Sequence, residues 1–171
     1  MNVRLETERL RLREYASGDF FLISQLLSDP VTMTHWPAPL DEAAARNWLE
    51  RALEAYADPC CGRLAVHLKT GEYIGDAGIV TATIDGRAEN DLGYIIDHRY
   101  WRRGYGLEAA KALLEFGHLH GLERIVANMA TDNRASVRVA ERLGMRLERV
   151  FSNTGNRQLE TRIYVSERAR S

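Results

Sequence analysis

Along the first third of the chain, apolar positions recur with a period of two and then with helical spacing. Residues 9–15 alternate charged positions with Leu10 and Leu12, the mark of a strand buried on one face. Ser17 and Asp19 then open a helix with Phe20, Ile23, Leu26 and Leu27 on one side, and Asp29-Pro30 ends it. The proline-rich segment Thr34-His35-Trp36-Pro37-Ala38-Pro39 excludes regular structure. Asp41 caps a second helix, with Ala45, Trp48, Leu49 and Ala52 at helical spacing.

From Arg63 the period returns to two. Residues 64–68, 73–83 and 88–96 read as strands joined by hairpin turns at Thr70-Gly71 and Asp85-Gly86, an antiparallel meander. On the third of these, Glu89, Asp91, Gly93 and Ile95 point to one face and Leu92, Tyr94 and Ile96 to the other. A helix follows Gly106 with Ala110, Leu113, Leu114 and Gly117 on its inner stripe, and Gly121 stops it. Residues 124–130 form a strand. Asp132-Asn133 starts a last helix, with Ser136, Val139, Ala140 and Leu143 at i, i+3, i+4 and i+7, and Gly144 ends it. Residues 145–151 and 157–165 close the chain as a hairpin around Asn153-Thr154-Gly155-Asn156. The strand, loop, helix and strand over 88–130 require a right-handed parallel crossover inside an otherwise antiparallel sheet. The expected fold is therefore α/β of the mixed, α+β kind, one domain over residues 1–171. A doubly wound dinucleotide fold, which alternates strand and helix throughout, does not fit.

Residues 94–110 concentrate the chemistry. An apolar strand end, a basic and aromatic loop, Gly104 and Gly106, and a helix start follow one another. A helix N-terminus offers unpaired N–H groups and the positive end of its dipole, which suits phosphate. Arg102 and Arg103 add fixed charge beside it. The loop is W-R-R-G-Y-G rather than G-x-G-x-x-G, and alone it is a weak signal.

Composition narrows the setting. A chain of 171 residues that is 45% hydrophobic suits one well-buried domain. With 23 Lys plus Arg against 24 Asp plus Glu, it lacks the basic excess of a nucleic-acid or membrane-surface binder, so neither partner is expected. Cys60 and Cys61 are adjacent and staple nothing distant. No metal-type spacing exists, and none of the His98, His118 and His120 positions clusters, so no metal is expected. No signal peptide and no apolar run of ~20 residues is found, which points to the cytoplasm. A monomer or a homodimer fits equally.

Three features taken together are stronger than the loop. They are Tyr100-Trp101-Arg102-Arg103-Gly104-Tyr105-Gly106 with Glu108-Ala109 after it, Asn133-Arg134-Ala135-Ser136, and Glu141-Arg142-Leu143-Gly144-Met145. Here the chain resembles the GCN5-related N-acetyltransferase (GNAT) superfamily, and most of all the branch that acetylates ribosomal-protein N-termini at alanine. The opening Glu8-Arg9-Leu10-Arg11-Leu12-Arg13 resembles that branch too, and the order of elements matches over nearly the whole chain. The resemblance implies acetyl-coenzyme A as co-substrate, no metal, and transfer of acetyl to an amine on a protein N-terminus or a small molecule. It implies that the N–H groups of Arg102, Arg103, Gly104, Tyr105, Gly106 and Leu107 hold the pyrophosphate. It also implies that the peptide-like pantetheine pairs with the backbone of Tyr94, Ile95 and Ile96, as in strand addition. Many relatives carry Gln or Arg where this chain has Trp101.

The reaction is attack of a neutral amine on a thioester. An amine of pKa ~8 is mostly protonated at pH 7, so a base must take its proton. A backbone N–H on the thioester oxygen would contribute roughly 3 kcal/mol. The resemblance places Ser136 near the sulfur as donor to the leaving thiolate, in a helix where many members use a tyrosine and this chain has none. Asn133 is either a helix cap or a pantetheine contact. For the base, Glu89 and Glu160 are the candidates, with a bound water as the alternative. His35 and Trp36 would wall the acceptor pocket. Two other readings stay open: an acyl-coenzyme A-binding or sensing module without catalysis, and a nucleotide-binding structural protein.

Overall fold

The computed structural model, which describes residues 2–168, places one eight-stranded sheet between two layers of helices. In chain order the elements are β1 (Val3–Glu6), β2 (Leu10–Glu14), α1 (Phe20–Ser28), α2 (Glu42–Ala55), β3 (Gly62–Leu68), β4 (Tyr73–Ile84) and β5 (Arg87–Ile96). They continue with α3 (Tyr105–Leu119), β6 (Arg124–Ala130), α4 (Arg134–Arg142), β7 (Arg146–Asn153) and β8 (Leu159–Glu167). The strand order is β1-β2-β3-β4-β5-β6-β8-β7, antiparallel throughout except for the parallel pair β5 and β6. The mixed sheet and its single crossover match the sequence expectation, and the expected turn at Asp85-Gly86 has both residues at positive φ, as a two-residue hairpin turn demands. β1 was not expected. Its four residues, V-R-L-E, carry too short an alternation to stand out.

Strand periodicity sorts the core into two layers. Leu10, Leu12, Leu64, Val66, Leu92 and Ala127 face α3 and α4, meeting Ala109, Ala110, Leu113, Val137 and Ala140. The other face carries Tyr15, Ala65 and Ile95 against Ile23, Leu27, Ala45, Leu49 and Ala52 of α1 and α2. Gly117 on α3 is small for a packing reason. A Cβ there would stand 2.7 Å from Ile125 and 2.8 Å from Ile79, inside the close-packed limit.

Beyond the end of α2 the same face is held by charge. Arg124 on β6 donates from Nε to Glu89 at 2.8 Å and from Nη2 to Glu148 at 2.7 Å, and Arg149 reaches Glu148 at 2.7 Å. This ties β5, β6 and β7 together. The hydrogen bonds from Arg124 hold the Glu148 carboxyl at about 2, below its ordinary 4.5. Such a depressed group stabilises the fold fully above its unfolded value and loses that contribution as pH falls through the folded one. Glu148→Gln should therefore lower the melting temperature at pH 7, and the gap to wild type should close as the pH falls from about 4.5 to about 2. Melts across that range check it. A gap as wide at pH 2 as at pH 7 would mean that Glu148 acts through packing.

Candidate active site

The site begins where a ladder stops. β5 stays paired with β4 along its whole length, from Ile84↔Arg87 to Gly75↔Ile96. β6 stays paired with β8 from Arg124↔Glu167 to Ala130↔Thr161. Between them, β5 and β6 share one register pair, Asp91↔Val126, and then part. The gap opens into a cleft of about 1040 Å³ that reaches both faces of the sheet.

On the α3 and α4 face, the cleft is lined by Tyr94, Asn133, Ser136, Val139, Ala140 and Leu143. Asn133 caps α4, its side-chain oxygen accepting the Ser136 N–H at 3.2 Å. That fixes Ser136 in the first turn, where the Tyr94 hydroxyl donates to its Oγ at 3.3 Å. With its oxygen engaged as acceptor, the serine keeps its own proton to give. Burial raises the Tyr94 phenol above its ordinary value, so it stays protonated. Tyr94 comes from β5, so a tyrosine hydroxyl meets Ser136 although α4 carries no tyrosine.

The loop before α3 has Arg102 at φ +62° and Gly104 at φ +83°. Left-handed residues of this kind turn backbone N–H groups into anion-binding concavities. Gly104 is the N-cap of α3 and supplies no side chain, so the first-turn N–H groups have no side-chain cap. Glu108, in that first turn, is turned away from them. It accepts from Thr7 Oγ1 at 2.5 Å and from Arg9 Nε at 2.7 Å, and Arg9 also donates to the Arg103 carbonyl at 2.9 Å. The β1–β2 turn thus clamps the loop and offsets the one carboxylate near it. Gly106 has a different task from the one its motif suggests. A Cβ on it would stand 2.8 Å from the Tyr94 ring, so its absence seats that ring.

On the α2 face, Asp91 stands in the cleft wall and accepts from Asn128 Nδ2 at 2.9 Å. Loss of solvent raises its carboxyl above the ordinary value, against the lowering effect of Asn128 and Arg63. A carboxylate so placed is a better proton acceptor. The cleft wall on this side also carries the edge-to-face pair Trp36 and Trp48, with ring centroids 5.6 Å apart. The Asn156 amide of the β7–β8 turn donates to the His35 carbonyl at 3.3 Å, and His35 Nδ1 lies 3.9 Å from Asp132. These contacts bridge the cleft mouth.

The structure thus gathers Tyr94, Asn133, Ser136, His35 and Trp36 around one cleft, with Arg102, Arg103, Gly104, Tyr105, Gly106 and Leu107 at the start of α3. It removes both carboxylates named from the sequence. Glu89 is buried outside the cleft, bonded to Arg124 at 2.8 and 3.0 Å, and those bonds hold its carboxyl below the ordinary range. Glu160 is exposed on β8, and the neighbouring Thr161 is the residue that lines the cleft. At Ile96 the carbonyl already accepts from Trp101 Nε1 at 2.6 Å, which leaves one acceptor site and the N–H for any ligand on that edge. Trp101 is therefore a brace for the loop. The residues missed as chemistry, Arg63 and Asn128, lie on strands whose alternation gives their face but not their neighbours.

The match to the family model described as an acetyltransferase (GNAT) domain covers residues 9–146. The uncharacterized protein YkkB of Bacillus subtilis (strain 168) is 34% identical over 147 residues, 83% of this chain and 84% of that protein. The crystal structure of a GNAT-family acetyltransferase from Bacillus anthracis superposes with a TM-score of 0.78 at 27% identity, covering 98% of this chain and 99% of that one. The ribosomal-protein-S5-alanine acetyltransferase from Vibrio fischeri shares the fold at a TM-score of 0.79 and 17% identity, over 96% of both chains. With its parted β5 and β6, its uncapped α3 and a family match over most of its length, this chain belongs to the GNAT family of acetyltransferases.

Proposed function

We propose that the protein transfers the acetyl group of acetyl-coenzyme A directly to a primary amine, on a protein N-terminus or a small molecule. The observation that carries this is the parting of β5 and β6. It joins a hydroxyl pair on one face of the sheet to a desolvated carboxylate on the other. The thioester donor lies on the α3 and α4 side, its pyrophosphate on the N–H groups from Arg102 to Leu107 and its pantetheine along the free edge of β5. The acceptor enters from the α2 side, past His35 and Trp36.

In the reaction the amine lone pair forms the C–N bond at the thioester carbonyl. The C–S bond then breaks and its electron pair leaves on sulfur. Asp91 takes the proton that the amine loses, and Asn128 keeps one carboxylate oxygen turned toward the cleft. Ser136 gives its hydroxyl proton to the thiolate and draws one through its hydrogen bond from the phenol of Tyr94, solvent returns a proton to Tyr94, and the proton held by Asp91 leaves to solvent, so the turnover closes. Asp91 replaces Glu89 and Glu160 as base on grounds of place and proton affinity. The match to the GNAT acetyltransferase family supports the donor half of this reading.

Transfer is tested by thiol release from acetyl-coenzyme A over a panel of peptides and small amines. Acetyl-coenzyme A binding without release on any of them would sink the catalytic reading. Asp91→Asn should lower kcat/KM by about a hundredfold or more and flatten the acid limb of its pH profile. A limb that survives unchanged would assign the base elsewhere. Ser136→Ala should reduce kcat about tenfold or more with little change in acetyl-coenzyme A affinity, and Tyr94→Phe should act in the same direction. Gly104→Glu, which sets a carboxylate and a side chain at a φ of +83°, should abolish acetyl-coenzyme A binding by titration calorimetry. Retained affinity would move the phosphate site.

A further inference from the structure

The acceptor side of the cleft holds a cation that acetyl transfer does not itself require. Arg63, Gly78 and Gly93 are register partners across β3, β4 and β5. Neither glycine carries a side chain, so Arg63 can lie flat over the sheet. A Cβ on Gly93 would stand 2.9 Å from Arg63 Nη1, which places the guanidinium on bare backbone one same-face position from Asp91. Its other nitrogens face inward. Nε donates to Asp76 Oδ1 at 2.6 Å, and Nη2 pairs with the same oxygen. Asp76 is fully buried, and its second oxygen accepts from the Tyr15 hydroxyl at 2.9 Å and from Trp48 Nε1 at 3.4 Å. The Trp48 ring lies against the guanidinium, 5.1 Å from Cζ to centroid. Among the described residues Nη1 makes neither a hydrogen bond nor an ion pair, and Arg63 lines the cleft.

We propose that Arg63 Nη1 receives a carboxylate of the acceptor, so that the acceptor is a small amine bearing that carboxylate close to its nitrogen, the α-amino-acid pattern. This rests on the acetyl-transfer reading above. Same-face positions on a strand lie about 6–7 Å apart. An amine on Asp91 and a carboxylate on Nη1, one carbon apart, bridge that span. A half-desolvated guanidinium gains most from an anion, because charge-assisted bonds are about twice as strong as neutral ones. A peptide N-terminus would offer it only a carbonyl. Arg51 on α2 lines the same side. Of the acids lining the outer cleft, Asp58 accepts the Cys60 N–H at 2.8 Å and Glu54 stands exposed on α2, and neither hydrogen-bonds Arg63.

The test sets each of a series of α-amino acids beside its own amide and beside a dipeptide amide, with thiol release from acetyl-coenzyme A as the readout. The free acid should be preferred in kcat/KM by about tenfold or more for the amino acids accepted. Gly93→Ala, which pushes on Nη1 and leaves the pair with Asp76 intact, should shrink that ratio toward one. Arg63→Gln should do the same where it folds, although it leaves Asp76 buried without its cation. Equal use of acid and amide, or preference for the dipeptide amide, overturns the inference and leaves acetyl transfer standing. If no amine is acetylated, calorimetry with N-acetylalanine and N-acetylalaninamide decides. Tighter binding of the acid that Gly93→Ala removes upholds the carboxylate site while the transfer reading falls. Equal binding ends both.

Discussion

The gap between β5 and β6 is the constraint on which the rest of this molecule depends. A buried sheet ordinarily satisfies its backbone by pairing, and an orphaned polar group inside a protein costs on the order of 1–3 kcal/mol. Here two strands of the same sheet are each fully committed to an outer partner, β5 to β4 and β6 to β8, and meet at a single register pair. Neither can follow the other without breaking its own antiparallel ladder. The free edge of β5 is thus held open by the rest of the sheet, and its unpaired groups stand ready for a peptide-like ligand.

Everything near the gap is arranged by short-range consequences of that parting. Tyr94 points to the α3 side because Leu92 and Tyr94 share a face, and its ring has room because Gly106 presents no Cβ. Asp91 and Gly93 then point to the α2 side, where Asn128 and Arg63 reach across from strands on either side. The Tyr94 hydroxyl and the Asp91 carboxylate therefore lie on opposite faces of one strand, three residues apart. Strand alternation alone separates the two kinds of chemistry and keeps them from neutralising each other.

Nearly all the elements, and the residues of β5 that share a face, were legible in the alternation of apolar and polar positions, while the layer each helix joins was not. The site's position was legible too, since the loop and α3 follow one another in sequence. What was not legible depended on partners brought from afar. Glu89 and Asp91 are two residues apart on one face and look alike in sequence. Arg124, 35 residues further on, captures Glu89, while Asn128 leaves Asp91 facing the cleft. Glu108 could pass for an ordinary first-turn acid of α3 until the β1–β2 turn is seen to hold it, from 99 and 101 residues away in the chain. The Trp101 indole, which could equally have faced a ligand, spends its N–H on the Ile96 carbonyl.

The buried pair of Arg63 and Asp76 is a further case of distant partners fixing a side chain at the cleft. Replacing a buried ion pair by apolar groups is often neutral or stabilising, so stability alone gives little reason to keep one. Its geometric consequence is firmer. Asp76, fixed by Tyr15 and Trp48, leaves the guanidinium no freedom to swing, and two glycines in register clear the path on which it lies. The result is a rigid donor aimed along the same face as Asp91, whose separation is set by the strand rather than by flexible side chains. A ligand that meets both must match a fixed distance and two opposite charges. For an acceptor of that kind, discrimination would be built into the pleat of β5.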